Sequence, residues 1–247
     1  MTQQTTSSIY NRSKNYLGST LLFIGIFSTA TVIGIVLFAL FWTPFTVRYK
    51  IATFWCWLVV EMARVFCGLN YDVEGLENIP KDKAVIFLSN HQSAWETLAL
   101  RIFLPIQTTV LKKELLYFPL WGWALILLKS IVIDRSNQRG ALKKLVETGT
   151  ACLQEGLNVL VFPEGTRAGA REVLPFNAGG AMLAHKSGYP VIPVVHNAGD
   201  FWPRYSFLKY AGTIKVKIGS PIETKGRKAS DINAEAEAWI KKAMSEM

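Results

Sequence analysis

Hydrophobic and polar positions change their texture at Gly68. Upstream, no charged residue occurs between Lys14 and Arg48, and LLFIGIFSTATVIGIVLFALFW (21–42) fills most of that gap. A helix needs ~20 such residues to cross a hydrocarbon core, and this run reaches that length. It is too long for the apolar core of a cleavable signal peptide, about 7–15 residues, and no small-residue cleavage site follows it. A second apolar run, IATFWCWLVV (51–60), is interrupted by Glu61 and Arg64. Thr43-Pro44-Phe45 lies between the runs and is suited to break a helix. Trp42, Trp55 and Trp57 cluster near the join, where aromatic rings favour lipid headgroups. The pattern predicts a polar segment over 1–16 and a membrane-embedded helical hairpin over 17–68 that either spans the bilayer or lies partly in one leaflet. Arg12 and Lys14 before the first run balance Arg48 and Lys50 after it, so charge asymmetry gives no orientation.

Downstream of Gly68, short apolar runs alternate with helical spacing. LNYDVEGLENIP reads as a strand and a turn. KAVIFLSN (83–90), TTVLKK (108–113), SIVIDR (130–135) and NVLV (158–161) have strand length, and the continuous apolar ones suit strands buried on both faces. Leu142, Leu145, Val146, Gly149 and Leu153 share a helical face over 138–156, with Gly156 placed for a C-cap. A helix near 178–187, the strand YPVIPVV, the strand GTIKVKIG and a closing helix capped by Ser230 or Asp231 complete the pass. Pro193 interrupts its strand, as at an edge or bulge. Strands alternating with helices predict an α/β domain over 69–247 with a mostly parallel central sheet flanked by helices. There is no internal repeat.

The chain has 247 residues, half of them apolar, with a formal net charge of +9. Such a balance suits an anionic partner: a membrane surface, a phosphorylated substrate or a nucleic acid. No basic–aromatic interleaving of a nucleic-acid reader occurs, so the charge is assigned to anionic lipid. Cys56, Cys67 and Cys152 form no pairing pattern, which fits a reducing compartment. His91, His185 and His196 are scattered and make no metal signature, so no metal is expected.

Candidate chemistry gathers at strand ends. NHQSAWET (90–97) puts His91 directly after a buried strand and Glu96 five residues on. A carboxylate on one ring nitrogen would fix the tautomer and leave the other as a base. Ser93 and Glu96 also form a capping box, which needs no chemistry at all. Both readings put Glu96 in the first helical turn. FPEGTR (162–167) follows another buried strand; Gly165 permits close backbone approach, Arg167 offers a fork matched to phosphate, and Glu164 an acceptor. Read blandly, it is a tight turn with a solvated ion pair. Lys112 and Lys113 open LKKELLYFPLWGW, whose bulky apolar groups suit a bilayer or an acyl chain, and Asp134 and Arg135 end SIVIDR. Together these would converge a base and several cations on one face of the sheet. No G-x-S-x-G nucleophile motif occurs.

In their order, NHQSAWE, KKELLYFPLWGW with SIVIDR, FPEGTR and VIPVV resemble the four motif blocks of the glycerolipid acyltransferases, and within them bacterial 1-acylglycerol-3-phosphate acyltransferases. The resemblance covers about residues 70–220. It implies transfer of a fatty acyl group from acyl-CoA or acyl-carrier protein to the 2-hydroxyl of lysophosphatidic acid, without metal, cofactor or covalent acyl-enzyme. It implies His91 as base and Glu96 as its orienting group. It implies Arg167, Lys112 and Arg135 on the acceptor phosphate, and Glu164, Gly165 and Thr166 shaping the acceptor pocket. It also implies a bacterial inner membrane location with the catalytic domain facing the cytoplasm. Two positions depart from the commoner pattern: Glu96 stands where aspartate is usual, and Asn177 where many members carry lysine.

Overall fold

The computed structural model describes residues 2–247, with side chains from residue 13 onward. α1 (Thr2–Ala39) and α2 (Phe45–Cys67) form the amino-terminal hairpin, so helix begins within the polar segment. Pro44 is the N-cap of α2, where its missing N–H costs nothing. Gly68 ends the helix at φ 67°, donating its N–H back to Arg64. The two helices approach closely along small residues. A Cβ at Gly18 would lie 2.1 Å from the Phe66 carbonyl oxygen, and one at Gly25 2.7 Å from the Met62 sulfur.

Seven strands form one sheet in the order β1 (Leu69–Glu74), β7 (Gly212–Ile218), β6 (Val191–His196), β2 (Ile86–Ser89), β5 (Asn158–Val161), β3 (Gln107–Lys112) and β4 (Ile131–Ile133). All neighbours are parallel except β6 and β7. Every residue of β2, β5 and β6 is buried, as the continuous apolar runs predict for strands covered on both faces. Along β2, Phe87 packs with α3 (Trp95–Phe103) on one face, while Ile86 and Leu88 pack on the other with α5 (Gln138–Gln154), α6 (Gly179–Ser187) and α7 (Ala229–Ser245). Val60, Ala63 and Cys67 of α2 belong to the first of these cores. The carboxyl half of the hairpin is therefore part of the packing of the α/β domain.

Pro193 sits inside the sheet, not at its edge. Val191 bridges Ile222 and Val194 pairs with Ile218, so the opposing segment carries one extra residue, a bulge, past the proline that cannot donate. The closing helix corrects the expected cap. Lys228, not Ser230 or Asp231, is the N-cap of α7; its carbonyl accepts from the Asp231 and Ile232 N–H groups. Ala229 and Ile232 pack on the core and draw the first turn earlier. Because β2, β3, β4 and β5 run parallel, His91, Lys112, Arg135 and the 162–167 turn all leave the same edge of the sheet, the edge where open α/β sheets hold ligands.

Candidate active site

The β2 strand ends at Ser89, and the chain then turns through Asn90–Ala94 into α3. His91 Nδ1 lies 2.7 Å from Glu96 Oε1. The same oxygen accepts the Gln92 N–H at 3.0 Å and the Ser93 N–H at 2.8 Å. One carboxylate oxygen thus both caps the helix and holds the imidazole, and the two sequence readings describe one contact set. The other half of the expected capping box is altered: Ser93 Oγ accepts from the Trp95 N–H at 3.1 Å, because the helix starts at Trp95. Glu96 is fully buried, whereas the His91 side chain is 17% exposed. Phe162 stacks on the ring with centroids 4.4 Å apart. With Nδ1–H donated to a carboxylate, Nε2 is left with its lone pair, and among the described residues it has no hydrogen-bond partner.

Behind Glu96 lies a second histidine that sequence reading did not single out. His196, at the end of β6, is fully buried, and its Nε2 is 4.0 Å from Glu96 Oε2. Its Nδ1 accepts the Ala198 N–H at 3.3 Å and its Nε2 donates to the Asn90 carbonyl at 3.1 Å, an arrangement of the neutral ring. The Asn90 amide brackets the His196 backbone at 2.9 and 3.0 Å, joining β2 to β6 beside the site. Burial pushes the Glu96 carboxyl up, but His196, the His91 hydrogen bond and charge, and the Ser93 N–H together hold it below the ordinary range. Burial depresses His196 below the usual imidazole value, against the pull of Glu96. The only sequence signal for His196 was a polar residue closing a buried strand.

The 162–167 turn folds over the His91 backbone. Glu164, 5% exposed, takes the His91 N–H on Oε1 at 2.8 Å and the Leu174 N–H on Oε2 at 3.1 Å. Burial raises its carboxyl to about 7 in spite of those two donors. The Ala168 N–H returns to the His91 carbonyl at 2.7 Å. Gly165 adopts φ 71°, which a side chain would resist, and the Asn177 amide closes the turn on the Pro163 carbonyl at 2.9 Å. Arg135 reaches across from the end of β4 and donates to the Gly165 carbonyl. The half-buried Arg167 guanidinium makes no hydrogen bond or ion pair among the described residues. His91, Glu96, Glu164, Gly165 and Arg135 are thereby linked in one constellation, and Arg167 stands on the same turn. Thr166 is exposed at the tip of the turn. Lys112 stands apart: it is exposed, pairs with Glu114 at 3.3 Å and bonds to none of the others. Its neighbour Lys113 ties β3 to β4 through Asp134 at 2.5 Å. Among the described residues no three His, Cys, Asp or Glu side chains gather as a metal would require.

Beside this edge the surface is apolar. The segment after β3 and the short helix α4 (Trp121–Leu127) pack on α1 through Phe27–Trp121 and Phe38–Trp123, at 4.9 and 6.3 Å between centroids. Tyr117 is 72% exposed, and Phe118, Trp123 and Ile126 are exposed beside it. The outer face of α1 continues this patch with Phe23, Ile24, Phe27, Val32, Ile35 and Phe38. Ser13–Ala39 is long and apolar enough to cross a membrane.

Known proteins resemble this chain in sequence and in fold. A family model described as Acyltransferase matches residues 70–197. The 1-acyl-sn-glycerol-3-phosphate acyltransferase of Pseudomonas aeruginosa is 46% identical over 208 residues, 83% of this chain and 80% of that protein. That of Limnanthes alba is 30% identical over 198 residues, 79% of this chain and 69% of that protein. A crystal structure of the 1-acyl-sn-glycerophosphate (LPA) acyltransferase from Thermotoga maritima matches with a TM-score of 0.80 and 25% identity, covering 96% of this chain and 97% of that one. The motif-bearing half of the sequence, the arrangement of the sheet and the identity to curated relatives lead to one conclusion: the chain belongs to the acyltransferase family.

Proposed function

We propose that the protein transfers a fatty acyl group from an acyl thioester to the free 2-hydroxyl of lysophosphatidic acid, releasing phosphatidic acid. The observation that carries this reading is the 2.7 Å contact of His91 Nδ1 with Glu96 Oε1, which leaves Nε2 unpartnered beside an arginine-bearing turn. The naming of relatives for this reaction supports it.

Nε2 takes the proton of the acceptor hydroxyl as its oxygen attacks the thioester carbonyl carbon. A C–O bond forms, and the tetrahedral oxyanion collapses with cleavage of the C–S bond. The imidazolium, stabilised by Glu96, returns its proton to the departing thiolate. Arg167 and Arg135, with Lys112 at the rim, bind the acceptor phosphate, and Glu164, Gly165 and Thr166 shape the pocket around it. The exposed apolar face of α1 and α4 keeps the site at the lipid surface that holds acceptor and product. In this reading residues 17–68 are the membrane-embedded unit, in a bacterial inner membrane with the 69–247 domain on the cytoplasmic side. Acyl-CoA or acyl-carrier protein supplies the thioester, and no cofactor takes part.

The test is acyl transfer by purified protein in lipid nanodiscs, with lysophosphatidic acid and labelled acyl-CoA or acyl-carrier protein, wild type beside His91→Ala. Phosphatidic acid from wild type alone is the expected result. Equal product from both removes His91 as base, and no product with either donor overturns the reaction. Competition with other lysophospholipids reports the acceptor preference.

A further inference from the structure

Two arginines from outside the 162–167 turn, Arg135 and Arg204, donate to backbone carbonyls of that turn, which itself carries Glu164 and Arg167. Arg135, Arg167 and Arg204 make no ion pair among the described residues, as is also true of Arg48, Arg101 and Arg139, and the charge of Glu114 acts on Arg135. Arg135 donates to the Gly165 carbonyl, and Arg204 donates to the Arg167 carbonyl. The next residue, Ala168, donates to the His91 carbonyl at 2.7 Å, so Arg204 is one peptide unit removed from the His91 backbone.

Arg204 belongs to none of the motif blocks. It lies in the connection between β6 and β7, and that connection is braced on the first helix. The Lys209 N–H donates to Ser19 Oγ at 2.9 Å, and Ser19 is fully buried on α1. The Phe207 ring meets Phe23 of α1 at 5.9 Å. Lys209 Nζ folds back onto the Ser206 and Phe207 carbonyls at 3.3 and 2.7 Å and lies 5.0 Å from the centre of the Trp202 ring. Tyr205 holds φ 58°, a conformation side chains seldom adopt, directly after the arginine.

Resting on the acyl-transfer reading above, we propose that Arg204 is a third cation of the acceptor-phosphate site and a determinant of specificity for a phosphomonoester, held at its station by α1. A phosphomonoester carries a charge of about −1.5 to −2 near neutral pH, against −1 for a phosphodiester, so each added guanidinium favours the monoester more. The helix that contacts lipid thereby sets where the phosphate of a membrane-borne acceptor is met.

Binding and turnover separate this proposal from the reaction itself. Lysophosphatidic acid binding is measured in nanodiscs of neutral lipid, with wild type, Arg204→Gln and Arg204→Lys, and folding is checked by thermal melting. Arg204→Gln weakens lysophosphatidic acid binding about tenfold, and Arg204→Lys recovers part of the loss. In turnover, Arg204→Gln raises the KM for lysophosphatidic acid by a similar factor, leaves kcat within about twofold, and lowers the preference for lysophosphatidic acid over lysophosphatidylglycerol. Binding within about twofold of wild type in a folded variant overturns the proposal. So does an equal loss for both acceptors, which is the mark of a merely structural role. Wild-type binding without phosphatidic acid production overturns the acyl-transfer reading alone.

Discussion

Glu96→Gln separates the two duties that Glu96 Oε1 performs. That oxygen accepts from two backbone N–H groups, at 3.0 and 2.8 Å, and from His91 at 2.7 Å. Backbone donors cannot turn away, so they hold the glutamine carbonyl in the same place and direct the amide NH2 toward the Oε2 position. The helix cap and the His91 tautomer survive; the negative charge does not. An imidazolium and a carboxylate ~4 Å apart between charge centres attract by about 4 kcal/mol at an effective dielectric of about 20. The neutral hydrogen bond that remains keeps about 1 kcal/mol of that. The deficit of about 3 kcal/mol applies only once His91 is protonated, in the transition state, and lowers kcat by a little over a hundredfold. Neither substrate KM changes, since Glu96 is fully buried and touches no substrate. The melting temperature stays within about 2 °C. Glu96→Ala loses activity too, but also strands the Gln92 and Ser93 N–H groups and melts lower, at about 1–3 kcal/mol for each. Steady-state acyl transfer in nanodiscs with parallel melting curves gives all three readings. A folded Glu96→Gln with kcat within threefold of wild type would show that Glu96 only caps α3.

Other outcomes follow from the same geometry. Arg167→Ala raises the KM for the phosphorylated acceptor about tenfold with kcat little changed; an unchanged KM in a folded variant removes it from the phosphate site. The Glu164 carboxyl is raised to about 7 by burial, so the fold favours its protonated form. Its contribution to stability is complete below the ordinary carboxylate range and is lost as pH rises through about 7. Melting curves of wild type and Glu164→Gln therefore diverge between pH 5 and 8, wild type losing ground at the higher pH; parallel curves refute this. Gly18→Ala forces the Phe66 carbonyl away from α1 and lowers the melting temperature by several degrees, and an unchanged value would mean the helices do not meet as described. Deleting residues 1–68 takes Val60, Ala63 and Cys67 from the core and yields aggregated protein, whereas a monodisperse, active fragment would contradict the shared packing.

Strands buried on both faces were legible because β2, β5 and β6 have no polar face to interrupt their apolar runs. His91 and Glu96 were legible because five residues bridging a strand end and a first helical turn bring them into reach by local geometry alone. What escaped was set by distant parts of the chain. His196 and Arg204 reach the site from β6 and the connection after it, and no local pattern announces neighbours 106 residues away, as Asn90 is from His196, or 37, as Arg167 is from Arg204. Lys112 and Lys113 are adjacent at the end of β3, and only the position of Asp134, just past the end of β4, decides that Lys113 is held and Lys112 faces solvent. The reversed direction of β1 and β7 was hidden for a related reason, since the pattern along a strand does not say which way its neighbour runs.

The pairing of β1 has a consequence for how the chain is made. β1 directly follows the amino-terminal hairpin, yet it pairs only with β7, with Leu69 opposite Gly212. During synthesis the hairpin is complete while β1 still has no partner, and that edge stays open until nearly the whole chain has emerged. Closing so long a loop is slow and leaves an unpaired strand exposed meanwhile. When β7 arrives it joins β1 to the rest of the sheet and, through Lys209 and Ser19, fastens the segment before it to α1. The last strand to be made therefore locks the first, and the arginine-bearing connection takes its place only when the chain is almost finished. A ribosome-released fragment lacking β7 would keep its amino-terminal helices and its His91–Glu96 segment, but β1 would have no strand to pair with.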